Sequence, residues 1–349
     1  MFKNIQMLRA VAAAMVLLYH AVPHYQAMGG ASLLFIKAAS TGFAGVDIFF
    51  VISGFVAAHS TLDKARTVSN AWVFAKRRLL RIYLGYWPFF GLTLALTGVY
   101  APRALDEMDL ISSFFLTRIE LKSLLLFVTW SLSFELLFYA LVAASFALPV
   151  RVVKALVHVG AAGTLFLLIW TYGNPDSAGL FLSMLLEFLA GVVVYIHREW
   201  LKSRWWIIPC VLSAVIAFAM GVRLLATDGP MRIFTFGAGA LALVMLALTL
   251  EQSRSAIANR IWVASGDASY TLYLAHLSLL MLFYFWGIRD FLAGQAAFLR
   301  EMGFFLYLGL CLWIAHIHYV RVEGPLYRWA SSSSNFGRSG RQMAAESRA

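Results

Sequence analysis

A chain of 349 residues that is 61% hydrophobic and only 13% charged has about half of the roughly 25% charged side chains that a water-soluble domain carries. That composition excludes a soluble globular protein and indicates a polytopic membrane protein. The formal charge of +11 is read as topological rather than as a nucleic-acid footprint, because no RNA-binding or helix-turn-helix pattern accompanies it.

Apolar windows of about 20 residues fall in chain order at 5–25, 42–60, 82–100, 124–148, 152–172, 178–197, 206–225, 232–250, 268–288 and 301–320. The expected fold is an all-α polytopic bundle of about ten transmembrane helices. The first window follows Lys3 as a signal peptide would, but Arg9 and His20 interrupt it and AVPHYQA is a poor cleavage site, so an uncleaved first helix is expected. Span two has a less regular lead-in through 31–41. GNPDSAG at 173–179 and ATDGP at 226–230 are the best loop signals. Cys210 and Cys311 lie inside apolar runs, which excludes a disulfide framework and leaves no metal site to expect. From Ser331 the sequence is polar, small and basic, and reads as a disordered cytoplasmic tail, so residues 1–330 form the membrane domain. With the N-terminus inside, 20 of the 28 Lys and Arg residues fall on the cytoplasmic side. An even number of spans then puts both termini in the cytoplasm.

Ionisable groups within spans are costly and are functional candidates by default. Arg9 and His20 stand eleven positions apart on the first helix, on one face and about 16 Å apart in rise. Arg9 also fits a snorkelling anchor, and His20 an interhelical hydrogen bond. In GVDIFFVISGF, Asp47 is expected near the depth of His20, where it would hold the imidazole in one tautomer. Gly45, Ser53 and Gly54 would let a neighbouring backbone approach closely. Arg77, Arg78 and Arg81 cluster at the mouth of helix three, as a positive-inside anchor or as a bidentate phosphate site. In WSLSFELLFY, Ser131, Glu135 and Tyr139 recur at every fourth position on one stripe. Ser269, Tyr273 and His276 mark a stripe on helix nine, and Glu323 is expected to pair with an inner-face arginine.

Taken in order, R-x10-H from Arg9 to His20, GVDIFFVISGF, RRLLRIYLGYW, WSLSFELLFY, SYTLYLAH and VEGP resemble acyltransferase family 3, over residues 3 to about 328. The opening NIQMLRAVAAAMVLLYH looks most like its exopolysaccharide O-acetyltransferase branch. Leu136 and Leu137 stand where many relatives have a glutamate–glutamine pair, and Tyr83 where proline often follows the arginine–isoleucine.

The resemblance implies a multi-pass protein of the bacterial inner membrane. It would move an acyl group, acetyl before succinyl, from cytoplasmic acyl-CoA to a hydroxyl of an exported glycan or its polyprenol-linked precursor. No tightly bound cofactor is expected; acyl-CoA is a substrate, and polysaccharide biosynthesis or export proteins are the expected partners. Arg9, Arg77, Arg78 and Arg81 would hold the phosphates of acyl-CoA, His20 with Asp47 would supply the base or nucleophile, and Glu135 a further catalytic group. Ser131, Tyr139, Tyr273 and His276 would line the acceptor or oxyanion site. The rival class is a glycan-precursor transporter, for which the inverted or parallel repeats of many transporters are not seen.

Overall fold

The structure, a computed structural model, describes residues 2–118, 123–171, 178–226, 229–253 and 258–332. Among these residues all regular structure is helical. Eleven helices carry the fold: α1 (Lys3–Ala27), α2 (Gly45–Thr61), α3 (Val68–Tyr100), α4 (Trp130–Ala144), α5 (Val150–Trp170) and α6 (Ala178–Ile196), then α7 (Ile207–Arg223), α8 (Ala238–Gln252), α9 (Arg260–Asp267), α10 (Ser269–Phe285) and α11 (Ala297–His318). Among the described residues, nine stretches are long and apolar enough to cross a membrane, and α9 with α10 forms a tenth, bent by 62°. Each coincides with one of the ten apolar windows. GNPDSAG and ATDGP lie mostly outside the described residues, as does the tail beyond Ser332; Ser331 and Ser332 themselves end a helix that begins at Gly324.

Lipid tails give helices no hydrophobic reason to associate, so close packing and polar contacts decide which helices sit inside. The span Leu33–Thr61 is the most enclosed, with 72% of its apolar window buried, whereas Val150–Trp170 and Arg204–Arg223 reach only 17%. Accordingly α5 and α7 turn Val159, Phe166, Ile208 and Val215 outward, the dress of lipid-facing helices. The enclosed helix is also the one with the small residues. A Cβ on Gly54 would strike the carbonyl oxygen of Phe188 on α6, and one on Gly191 would strike that of Val51 on α2. The two helices therefore cross backbone against backbone. Gly45 meets the Ala12 carbonyl of α1 in the same way. As a result α1 lies against α2, α8, α9 and α10, and Arg9 and His20 both face the interior of the bundle.

Two regions differ from the hydropathy reading. Helix α3 begins at Val68, about three turns before the arginines, so Arg77, Arg78 and Arg81 stand within a continuous helix and not at its mouth. The segment after α3 also folds back along it. Tyr83 and Tyr86 donate to the carbonyls of Phe115 and Ser113, each at 2.7 Å. Asp109 starts the returning helix Leu110–Phe115, and hydrogen bonds from the Ser112 amide and hydroxyl hold its carboxyl below the usual carboxylate range.

The α2–α6 crossing yields a prediction. Gly54→Ala should destabilise the protein by about 1–3 kcal/mol, as overpacking does. Gly163→Ala on α5, where an added Cβ meets nothing within 4 Å, should be neutral or stabilising. Thermal melting in detergent reads both, and identical midpoints would contradict the crossing.

Candidate functional site

At one end of the bundle, a cavity of about 420 Å³ is lined by Arg9 of α1, Arg77, Arg78 and Arg81 of α3, and by Asp267 and Tyr319. The four expected arginines are thus brought together. They are not equivalent. Arg81 forms a 2.9 Å ion pair with Glu323, the carboxylate expected to take an inner-face arginine. Arg9 bonds Gln6 at 3.2 Å, and Arg78 bonds the Ser60 hydroxyl at 3.3 Å while lying over the Phe74 and Tyr139 rings. Among the described residues no carboxylate comes within 4.0 Å of Arg9, Arg77 or Arg78. With Asp267 the one carboxylate among the described residues lining this cavity, the guanidinium groups outnumber it and suit an anion.

Arg9, Arg78 and Arg81 also form one wall of a deeper chamber of about 130 Å³ that Ser53, Ser131, Glu135, Tyr139 and Tyr273 complete. The stripe read on helix four is real: Ser131, Glu135 and Tyr139 all face this chamber. Glu135 accepts from the Ser53 hydroxyl at 2.9 Å and, on the same oxygen, from Tyr139. At the far end the Ser131 and Tyr273 hydroxyls are 2.7 Å apart, and Tyr273 donates to the Val128 carbonyl at 2.8 Å. Ser269 instead bonds the Gly266 carbonyl where α9 turns into α10.

His20 lies beyond that end. Its Nδ1 is 3.0 Å from the Val16 carbonyl oxygen and 3.1 Å from Nε2 of His276. Tyr19 and Phe127 present their edges to its ring. It lines a third cavity, of about 580 Å³, together with His24, Ser40, Thr93 and Tyr284. This cavity and the arginine chamber have no lining residue in common. Tyr273 and His276, with ring centres 6.0 Å apart, stand between them.

Asp47 does not orient His20, contrary to the expectation from depth. Its carboxylate forms a bidentate pair with Arg232, at 2.8 and 3.0 Å. The guanidinium lies over the Phe43 ring, and Glu187 of α6, only 2% exposed, borders the pair. The physical reason is charge. A fully buried carboxylate is far better neutralised by a permanently charged, two-pronged guanidinium than by an imidazole. Arg232 lies just before a π-helical turn, Ile233–Gly237, that leads into α8. Arg232, Glu187 and His24 were not singled out from the sequence, although each is an ionisable group in or at the edge of an apolar window, a sufficient signal.

A family model described as an acyltransferase domain, that of acyltransferase family 3, matches residues 2–320. The chain belongs to this family and is a multi-pass membrane acyltransferase. It is also 32% identical over 255 residues to the exopolysaccharide production protein ExoZ of Rhizobium meliloti (strain 1021), covering 67% of this chain and 75% of that protein. No solved structure matches.

Removing one partner of the buried pair tests its role. Arg232→Met should cost on the order of 3–5 kcal/mol by leaving carboxylates unpaired, and adding Asp47→Leu should recover much of that loss. Thermal denaturation in detergent checks it; a double variant no better than the single one would refute the pairing.

Proposed function

We propose that this acyltransferase carries an acetyl group from acetyl-CoA to a hydroxyl of an exopolysaccharide, or of its polyprenol-linked precursor, in a bacterial inner membrane with both termini in the cytoplasm. The observation that carries the reading is a continuous row of groups. It begins at Arg9 and Arg78, which form no ion pair within 4.0 Å among the described residues, passes Glu135 and Tyr139, and ends at Tyr273, His276 and His20. Acetyl-CoA has the matching shape, with phosphates at one end and a thioester at the end of a long flexible arm. ExoZ, by its name, serves exopolysaccharide production, which supports a glycan acceptor here. Proteins of polysaccharide synthesis or export are then its expected neighbours.

In this scheme Arg9, Arg77 and Arg78 grip the nucleotide phosphates, with Arg81 held in place by Glu323. The donor arm extends along the chamber beside Glu135. The acceptor enters from the cavity that contains His20 and His24. His20 takes the proton of the acceptor hydroxyl as its oxygen attacks the thioester carbonyl carbon. The tetrahedral oxyanion collapses, the carbon–sulfur bond breaks, and the departing thiolate recovers that proton from the imidazolium. Tyr273 and Ser131 would turn their hydroxyls from the Val128 carbonyl to donate to the oxyanion. Because Tyr273 and His276 separate the two cavities, the thioester reaches His20 only when this partition opens. A covalent acyl-histidine is the second route by which His20 would serve.

The test uses purified protein in liposomes with radiolabelled acetyl-CoA and envelope glycan. Wild type should label the glycan, and well-folded His20→Ala should not; equal labelling would remove His20 from the chemistry. Label retained on the wild-type protein would select the covalent route. Label appearing only with succinyl-CoA would change the donor and keep the site. Arg78→Ala should raise KM for acetyl-CoA about tenfold, the effect of losing roughly 1.4 kcal/mol of binding, and a fall in kcat alone would argue against phosphate gripping.

A further inference from the structure

The geometry points to His276 as the positioning residue of the reaction: it accepts a hydrogen bond from Nδ1 of His20 and leaves Nε2 of His20 as the basic nitrogen. The inference rests on the reading of His20 as the general base.

The hydrogen positions follow from the acceptors. Nδ1 of His20 faces the Val16 carbonyl oxygen at 3.0 Å, and a carbonyl oxygen can only accept. A lone pair on Nδ1 would point at another lone pair, so Nδ1 carries the hydrogen. The same hydrogen also faces Nε2 of His276, at 3.1 Å, in a three-centre bond. That contact is attractive only if Nε2 of His276 presents its lone pair. His276 is fully buried, and as a neutral ring it then carries its hydrogen on Nδ1. There it finds the Leu272 carbonyl oxygen at 3.3 Å. Both imidazoles thus direct Nδ1–H at the carbonyl four residues back in their own helices, and donation between the rings runs from α1 to α10. Nε2 of His20 makes no hydrogen bond among the described residues, and its ring borders the open cavity.

A neutral partner suits this location. Asp47 is engaged by Arg232, and a pair of neutral imidazoles needs no counter-ion in the membrane. When His20 takes a proton on Nε2, its Nδ1–H becomes a charged donor, and the bond to His276 strengthens in the protonated state. The alternative hydrogen arrangement, with His276 donating to Nδ1 of His20, would place a hydrogen on Nε2 of His20 and abolish its basicity toward the acceptor.

Two measurements test the assignment. Nitrogen-15 NMR of histidine-labelled wild type in lipid, with His20→Ala and His276→Gln used to assign signals, should find both rings as Nδ1–H tautomers. Nε2–H on either ring overturns the proposal, and this readout needs no substrate. In the transfer assay, His276→Gln puts a carbonyl acceptor close to the place of Nε2, whereas His276→Asn reaches only as far as Nδ1. The Gln variant should keep kcat within about threefold of wild type, and the Asn variant should lose about tenfold or more, with KM for acetyl-CoA unchanged in both. Equal activity of the two variants, high or low, overturns the proposal. Absence of acetyl transfer by wild type would instead count against the acetyl-transfer reading, while the NMR result still decides the tautomers.

Discussion

A carboxylate in hydrocarbon must be neutralised, and the rest of this bundle is arranged around how Asp47 meets that demand. Its bidentate pair with Arg232 ties the centre of α2 to the segment leading into α8, with Glu187 of α6 beside it. Nearby, Gly54 and Gly191 let α2 and α6 cross with their backbones in contact, which keeps Glu187 and Asp47 on neighbouring helices. With Asp47 so engaged, His20 has no carboxylate partner. It meets a second imidazole across α1 and α10.

Charge is otherwise sorted by depth. Arginines gather at one end, where Glu323 holds Arg81 and, among the described residues, Arg9, Arg77 and Arg78 form no direct ion pair. The chamber beyond them is furnished with hydroxyls and one carboxylate, and the histidine pair lies beyond its Tyr273 end. A donor with an anionic head and a neutral reactive tail would meet this order of groups as it entered. Tyr273 and His276 stand between that chamber and the cavity of His20, an arrangement that would keep a donor in one apart from an acceptor in the other.

Much of this was legible because a bilayer imposes local rules. Length and hydropathy fix where a helix can span, so the ten windows coincide with the ten stretches of the structure. Small residues foretold close crossings, and Gly45 and Gly54 are at such crossings. Helical period put Ser131, Glu135 and Tyr139 on one wall, and spacing along α3 put the arginines together. The folded-back helix Leu110–Phe115 was not legible, because what holds it against α3 is the bonding of the Ser113 and Phe115 carbonyls by hydroxyls of that other helix, which local sequence does not report.

The sequence by itself determined the class of protein, the number and place of its spans, the face on which each polar group lies and, through its motifs, the family. These properties depend on residues close together in the chain, on hydropathy and on the 3.6-residue period. Only the tertiary structure decided partners: Arg232 for Asp47, His276 for His20, and Glu323 for Arg81 in particular. Each joins positions at least 185 residues apart, or two different helices chosen among several at the same depth. Depth limits which groups can meet but does not choose among them; that choice is made by how closely the helices cross.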